Sequence, residues 1–365
     1  ANFKDLFEDY EFEGGVRIPT SFNGSEYFLI FNDKKKRLDK TFAVYRKNER
    51  ITEPSSTFVP QKKENNIILG QFGVKYPLDI FRSLRGTVTL RRDRTTKLAT
   101  ELSSLRQPTL SEQRAGIKLE YVFDNTLDVA LNLKNGTRYK VYAEMVKRFD
   151  LSLEDNISLN LNNGYMGILG LDARHYQRIL KHSVLAARLA AATSFGTEQI
   201  LYYMGGVSNW LFPAQDNDVP VPPGIDFAYQ TLATNLRGFN INIRNGNSYV
   251  LSNLELRIPI FRYISSRLTS PFFRNFQLAG FFDVGTAWAG KDPFSIDNPL
   301  NTSVIPNSDA VSVRVNFFRD PLVAGYGLGV RSMLFGYFVR VDYAWGIETR
   351  RVLDPKLFIA LGMDF

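Results

Sequence analysis

The 365-residue chain carries 45 Lys and Arg residues against 37 Asp and Glu residues, for a formal net charge of +8, and it contains no cysteine. Without cysteine, disulfides and thiolate metal centres are excluded, and the spread of basic residues over many segments argues against a nucleic-acid-binding patch. No run of about 18 apolar residues occurs, which excludes a transmembrane helix. The first residues lack the features of a signal peptide, so we expect a mature chain or a fragment.

Alternation of apolar and polar residues dominates the chain from its beginning. Because successive side chains of a β-strand point to opposite faces, each alternating block predicts a strand with one apolar and one polar face. The first seven such blocks cover residues 12–18, 27–31, 42–44, 68–76, 84–91, 117–123 and 139–145. A less regular block at 152–174, an Ala-rich block at 183–193 and a short block at 199–206 follow. For the Ala-rich block a helix is an open alternative.

A segment without clear periodicity, residues 207–247, comes next and is predicted to be a long loop. Near its end lies a four-residue motif, Leu236, Arg237, Gly238 and Phe239. The glycine permits a tight turn, the aromatic residue can pack the tip, and the guanidinium requires an acceptor. Two later acids on the polar faces of alternating strands, Glu255 and Asp283, are the predicted partners of Arg237. A second loop, rich in Asn, Ser and Pro, is predicted at residues 292–309.

The most regular alternation lies near the end of the sequence. The odd-numbered residues of the block at 337–348 are apolar, whereas Arg340, Asp342 and Glu348 lie on the other face. In the last block, the residues predicted to share one apolar face are Leu357, Ile359, Leu361, Met363 and Phe365. An apolar alternating strand with a final Phe resembles the signal that the outer-membrane assembly machinery reads.

About fifteen strand candidates in blocks of about ten residues, together with 29 Phe and 17 Tyr residues, are typical of a membrane barrel with aromatic girdles. The predicted fold is all-β: a transmembrane antiparallel β-barrel of about 16 strands, with the long loop folded into its lumen. We expect one barrel domain over residues 1–365, with a first strand or an upstream periplasmic domain before Ala1 as open alternatives. A soluble sandwich, which would turn the same apolar faces inward, is a more distant alternative.

The motifs resemble, in order and spacing, those of the BamA/TamA superfamily of outer-membrane barrels, also called bacterial surface antigens. The likeness rests on the Leu-Arg-Gly-Phe tip, on an Asn-x-Glu-x-Arg-x-Pro strand at 253–259 and on a Phe-x-Asp-x-Gly strand at 281–285. Residues 123–137 are similar to the family's Asp-rich hairpin, without its usual Pro. The resemblance is best over residues 116–365, while residues 5–15 and 36–39 are similar to the C-terminal barrels of TolB-like propeller-barrel proteins.

The resemblance implies an outer-membrane protein that assists the insertion, assembly or translocation of other proteins without ATP. In place of ATP, local bilayer perturbation and a weak seam between the first and last strands would drive the insertion of other proteins. Residues 357–365 would form the assembly signal and this seam. Implied partners are outer-membrane lipid and lipopolysaccharide, client outer-membrane or secreted proteins, and periplasmic or lipoprotein accessory subunits. The alternative is a passive porin-like or docking barrel, acting as a structural subunit of a larger envelope complex.

No catalytic or cofactor-binding constellation is recognisable in the sequence. His175 and His182 lack an evident third metal ligand, and the glycines Gly325, Gly327 and Gly329 do not open a helix as a nucleotide-binding loop would. Glycines at alternate positions of a strand instead predict a crowded barrel interior. We therefore expect no enzymatic activity, no cofactor, no metal and no nucleic-acid partner.

Overall fold

The computed structural model describes residues 2–17, 24–53, 61–97, 109–152, 158–161, 164–216, 219–265, 267–295, 298, 300–308, 311–316 and 319–365. Its strands are β1 (Asn2–Lys4), β2 (Tyr10–Arg17), β3 (Gly24–Asp33), β4 (Asp39–Glu53), β5 (Gln61–Pro77), β6 (Arg82–Lys97), β7 (Leu110–Asp124), β8 (Leu127–Ala130), β9 (Leu133–Ser152), β10 (Ser158–Asn160), β11 (Tyr165–Arg178), β12 (Val184–Gly196), β13 (Glu198–Met204), β14 (Asp226–Ala233), β15 (Arg244–Gly246), β16 (Ser248–Ile258), β17 (Gln277–Trp288), β18 (Thr302–Ser308), β19 (Val311–Asn316), β20 (Val323–Leu334), β21 (Tyr337–Glu348), β22 (Arg351–Val352) and β23 (Lys356–Leu361). The helices are α1 (Ile260–Ile264) and α2 (Pro271–Asn275).

Within the described ranges, eighteen of these strands belong to one antiparallel sheet, which confirms the predicted all-β class. The number exceeds the predicted sixteen because several members, such as β1, β8, β10 and β22, are only two to four residues long. None of the helices in this part of the chain is long and apolar enough to cross a membrane. The chain forms two compact units, residues 1–122 with 142–167 and residues 123–141 with 168–365.

The first unit is built on a meander in which β2 to β6 each pair antiparallel with the next strand. The alternation that predicted these strands places aromatic side chains at matching positions of neighbouring strands. Phe12, Phe31, Phe42 and Phe72 follow one another across β2, β3, β4 and β5, with successive ring centroids 4.5, 6.2 and 4.9 Å apart. Three of the four rings are exposed. Such cross-strand aromatic contacts stabilise the register of a sheet from its outer face.

The second unit contains six consecutive antiparallel neighbours, β12, β16, β17, β20, β21 and β23. On β16 the buried face carries Asn253, Glu255 and Arg257, whereas Leu254, on the opposite face, is 44% exposed. A soluble protein has the reverse arrangement, since exposed leucines and buried charges each cost free energy in water. The soluble-sandwich alternative is therefore wrong, and the apolar faces of these strands are suited to lipid.

Strand β21 repeats this distribution and confirms the alternation predicted for residues 337–348. Its even-numbered residues Phe338, Arg340, Asp342 and Ala344 are buried, whereas odd-numbered residues such as Tyr343 are exposed or half-buried. The Ala-rich block at 183–193 is also a strand, β12, and not a helix. The Arg188 side chain on β12 is 13% exposed, and its Nη2 donates to Asp172 Oδ2 at 3.0 Å.

The long segment at 207–247 departs from the prediction of a loop without regular structure. Residues 226–233 form β14, which pairs in parallel with β13, while β15 pairs antiparallel with β13 along its other side. Likewise, residues 302–308 of the loop predicted at 292–309 form β18, which pairs antiparallel with β19 beyond the loop. Other parts of that loop, and of the block predicted at 152–174, lie outside the described residues. None of these strands joins the large sheet: β14 and β15 pair with β13, and β18 and β19 pair with each other.

Candidate functional site

The Leu236–Phe239 motif lies on the polar face of the second unit, held by backbone bonds and apolar contacts. The Leu236 N–H donates to the Gly206 carbonyl oxygen at 3.0 Å, and the Gly206 N–H donates to the Phe239 carbonyl oxygen at 3.1 Å. Leu236 and Phe239 are both buried in one apolar cluster with Met204 and Leu251. Gly238 has φ +92°, a conformation that glycine adopts without strain. The motif therefore makes a fixed tip that directs the Arg237 side chain towards the sheet.

Arg237 is 1% exposed and contacts both of its predicted partners, Glu255 and Asp283. Its Nε and Nη2 donate to the two carboxylate oxygens of Asp283 at 2.7 and 2.8 Å, and its backbone N–H also donates to Asp283 at 3.1 Å. Its Nη1 donates to Glu255 Oε2 at 2.7 Å. The guanidinium carbon lies 3.6 Å from the ring centroid of Phe281, within the range of a cation–π contact. The planar guanidinium group donates to both acids at once, and a lysine ammonium group lacks this geometry.

A larger arginine–carboxylate network surrounds this pair of contacts. Its members are Arg237, Arg257, Arg331, Arg340, Glu255, Asp283, Asp342 and Asp364, and all eight side chains are buried. Arg257 Nε donates to Glu255 at 2.9 Å, and Arg331 Nη1 donates to Asp342 at 2.6 Å. Asp364 accepts from Arg331 Nε at 2.9 Å and from Arg340 Nη1 at 3.1 Å. The network links the loop tip to β16, β17, β20, β21 and the residues after β23.

The charges of this network balance, with four arginines against four acids. Burial alone would lower the pKa of the Arg237 guanidinium, but the carboxylates of Asp283 and Glu255 raise that pKa well above its usual range. Arg237 is therefore charged at every physiological pH. A buried ion that loses its partner is strongly destabilising, so each member of the network depends on the others.

Strand glycines form the surface on which the loop tip rests. A Cβ atom at Gly325 would overlap the carbonyl oxygen of Arg237, and one at Gly346 would lie 2.7 Å from Phe239 Cε1 and 2.8 Å from the Gly238 oxygen. At Gly327 and Gly329 the added atom would overlap groups of β20 and β21 themselves. The crowded interior predicted from the glycine spacing is confirmed, and the loop backbone lies directly against β20 and β21.

The final residues depart from the single outward face predicted for Leu357, Ile359, Leu361, Met363 and Phe365. Strand β23 ends at Leu361, and Gly362 follows with φ +98°. Leu357 and Met363 are exposed, but Phe365 is only 9% exposed and packs inward against Leu133, Tyr176, Val184 and Ala186. The prediction of an outward Phe365 is wrong because the turn at Gly362 carries Asp364 to its arginine partners. The Phe365 ring also lies 5.2 Å from the guanidinium carbon of Arg257.

Sequence reasoning missed Arg257, Arg331 and Asp364 as members of the network, and it placed Arg340 and Asp342 on the polar face without assigning them partners. A signal was available, since all five are polar residues at alternating positions within or just after apolar strands. Asn132 was missed as well; its Nδ2 donates to Asp364 Oδ2 at 2.9 Å, and its Oδ1 accepts the Asp364 N–H at 2.9 Å. Nothing in the sequence of residues 130–134 marks that contact.

This architecture is similar to that of a known protein family and of several solved structures. Residues 83–356 match the model of the Omp85 superfamily domain. Similar solved structures include BamA from Haemophilus ducreyi lacking POTRA domains 1-3, with TM-score 0.55 and 12% identity, over 97% of this chain and 64% of that one. CdiB from Acinetobacter baumannii has TM-score 0.55 and 12% identity over 99% of this chain and 55% of that one. CdiB from Escherichia coli has TM-score 0.52 and 11% identity over 99% and 57%.

This chain thus spans 64% or less of the length of each of these structures, and at such low identity they show the fold alone. No curated protein sequence matches the chain. The family match, however, covers most of the chain and confirms the family predicted from the motifs. Together with strands whose apolar faces point outward and whose charged faces are buried, it leads to one conclusion: the chain belongs to the Omp85 superfamily and is a β-barrel of the outer membrane.

Proposed function

We propose that this barrel assists the insertion, assembly or translocation of other proteins at the outer membrane, and that residues 1–365 act as one barrel domain. The observation that carries the proposal is the long inserted segment anchored by Arg237 to Asp283 and Glu255. Membership of the Omp85 superfamily supports it. The clients are unfolded outer-membrane or secreted proteins, and the surroundings are lipid and lipopolysaccharide with periplasmic or lipoprotein accessory subunits.

The anchored segment favours this role over that of a passive porin-like or docking barrel. A conduit requires open space along the polar face of its strands. On the second unit the segment lies directly against Gly325 of β20 and Gly346 of β21, and the arginine–carboxylate network holds it there. The inserted segment therefore covers that face of the strands. Its fixed contacts can stabilise the strands while the barrel assists a client protein.

The residues of the last strand are assigned to client capture. An exposed strand edge presents unpaired N–H and C=O groups, so an extended segment of another protein can add to it by hydrogen bonding alone. Such capture needs no ATP, since the incoming strand exchanges water or internal partners for sheet partners. We assign Leu357, Ile359 and Leu361 to this edge, with Met363 and Phe365 fixing the end of the chain beside it.

The proposal is tested by reconstituting the protein into lipid vesicles and adding a small urea-unfolded outer-membrane barrel as the probe client. Folding of the probe is followed by its heat-modifiable mobility on gels. We expect faster folding in vesicles that carry the protein than in empty vesicles, and a loss of that acceleration with Arg237→Glu. Equal folding rates in all vesicles would overturn the proposal, and steady ion conductance without acceleration would support a passive conduit instead.

A further inference from the structure

The edge of β23 that faces away from β21 is occupied by a piece of the long inserted segment. The Leu211 N–H donates to the Ile359 carbonyl oxygen at 2.9 Å, and the Leu361 N–H donates to the Asn209 carbonyl oxygen at 3.3 Å. Trp210 lies opposite Ala360 in an antiparallel bridge. Residues 209–211 are therefore one short extra strand, which we call the edge segment, added to β23 on the side where a partner strand would bind.

The inward side chain of the edge segment fits a defined apolar site. Trp210 packs against the buried cluster of Val207, Phe281, Ala344, Phe358 and Ala360, and its ring centroid lies 4.8 Å from that of Phe358. Arg340 of the arginine–carboxylate network adds a polar contact, because its Nη2 donates to the Ser208 carbonyl oxygen at 2.7 Å. The apolar site thus fits a large aromatic side chain at the Trp210 position of an added strand. The Arg340 guanidinium is placed to donate to a backbone carbonyl two residues before that side chain.

The outward side of the edge segment has the character of a barrel strand. Alternation turns Leu211 to the side opposite Trp210, the side of its register partner Ile359, and Leu211 is 44% exposed. The edge segment therefore shows an aromatic residue inward and an aliphatic residue outward, the pattern of a strand that belongs between a barrel interior and lipid.

The edge segment pairs with β23 over fewer residues than β21 does on the other side of that strand. β21 pairs with β23 over six register positions, from Val339–Leu361 to Ala344–Lys356. Two backbone hydrogen bonds, which together form the bridge at Trp210 and Ala360, join the edge segment to β23. A competing strand that continued along β23 would form more ladder bonds than the edge segment does, so replacement of the edge segment is favourable once such a strand is at hand.

We propose that the edge segment is an internal substitute for a client strand and that it defines what the client must present. The partner is an extended protein segment, antiparallel to β23, with a large aromatic residue facing the Trp210 site and an aliphatic residue next to it facing lipid. The edge segment must leave β23 before such a partner binds, so it suppresses pairing with unsuited chains. This inference rests on the proposed function, since it names the client strand of the same edge.

A peptide with the protein's own edge sequence, Val-Ser-Asn-Trp-Leu-Phe-Pro (residues 207–213), serves as the probe, and its dye-labelled form is titrated with the full chain in detergent. Because the apparent affinity falls with the fraction of protein in the open state, removing the internal competitor should raise it. We expect Trp210→Ala protein to bind this peptide about tenfold more tightly than the wild type does. The same peptide with Ala in place of Trp should bind Trp210→Ala protein about tenfold more weakly than the original.

The absence of cysteine from the chain permits a second, reversible test. A Leu211→Cys, Ile359→Cys protein, oxidised to a disulfide, fixes the edge segment on β23. A Val330→Cys, Val341→Cys protein is the matched control, because Val330 and Val341 are register partners on β20 and β21, away from the edge segment. We expect oxidation to abolish peptide binding in the first protein and reductant to restore it, while the control binds as the wild type does in both states. Gel mobility identifies the folded, cross-linked species.

Equal peptide binding by the oxidised and reduced forms of the first protein would overturn the inference, as would equal affinity of the Trp and Ala peptides for Trp210→Ala protein. The two proposals are separable. If the vesicle assay shows no acceleration of client folding while the peptide results are as expected, the proposed assembly function is refuted and the proposed strand pairing at β23 is retained. If acceleration is present but oxidation leaves peptide binding unchanged, the edge inference alone is lost.

Discussion

Replacement of Arg237 perturbs the second unit at its most connected side chain. Removing one partner of a buried ion pair costs about 3–5 kcal/mol, because the remaining charge is left without compensation. Arg237→Ala deprives Asp283 of two guanidinium hydrogen bonds and Glu255 of one, so we expect a loss of about 3–5 kcal/mol in the free energy of unfolding.

Arg237→Glu should be worse, because it places three acids side by side. The repulsion of two unit charges about 4 Å apart is about 4 kcal/mol at an effective dielectric constant of about 20. The network would then hold three arginines against five acids. Pairing the change with Asp283→Arg restores the balance, so the double variant should recover part of the loss. Arg237→Lys should fall between the wild type and Arg237→Ala, because an ammonium group cannot bond both acids in a plane.

Urea-induced unfolding in lipid vesicles, followed by tryptophan fluorescence and by heat-modifiable gel mobility, measures these differences. The matched control is Arg350→Ala: Arg350 also faces an acid, Asp320, with 3.5 Å between Nε and Oδ2, but its side chain is 81% exposed. An exposed pair contributes about 0–1 kcal/mol, so this variant should resemble the wild type. If Arg237→Ala unfolds within about 1 kcal/mol of the wild type, comparable to Arg350→Ala, the argument that buried pairing fixes the loop is refuted.

Three further substitutions test separate faces of the fold. Val341→Arg, near the middle of β21, should cost about 2–4 kcal/mol of stability in vesicles, against about 0–1 kcal/mol for Tyr337→Arg at the strand end; equal costs would contradict a lipid-facing surface. Gly325→Ala should displace the loop tip and expose it to added protease, whereas Gly70→Ala, where an added Cβ meets nothing within 4 Å, should leave the digestion pattern unchanged. Phe365→Ala should cost about 3–5 kcal/mol by emptying the site beside Val184; wild-type yield and thermal mobility shift would show that this contact is dispensable.

Alternation was sufficient to place most strands and their faces, because a membrane barrel repeats one simple rule at every second residue. It could not reveal which polar residues meet across the sheet, since that depends on register. Arg331 and Arg340, for example, are direct register partners on β20 and β21, an unfavourable pairing by itself. Asp364 resolves it by accepting from both, and it reaches them because the chain turns at Gly362.

The inserted segment was harder to predict for a related reason. Strand β14 pairs in parallel with β13, and parallel pairing of separated segments leaves no local pattern in the sequence. The tip motif, by contrast, was recognisable because its parts have different local roles: Gly238 makes the turn, Phe239 packs, and Arg237 needs acids. The edge segment on β23 carries only three residues of alternation, too few for any periodicity to be read from sequence.

The arginine–carboxylate network also has a consequence for the order in which the molecule forms. Its contacts join residues far apart in the chain: Arg237 and Asp283 are 46 residues apart, and Asn132 and Asp364 are 232 apart. Contacts of such separation form only after the intervening chain is in place, because closing a long loop costs entropy before any bond compensates it. Asp364 lies beyond the last strand, so Arg331 and Arg340 lack this counter-ion until β23 is present. The ion pairs of the network are therefore expected to form late, after the strands that carry their members have paired.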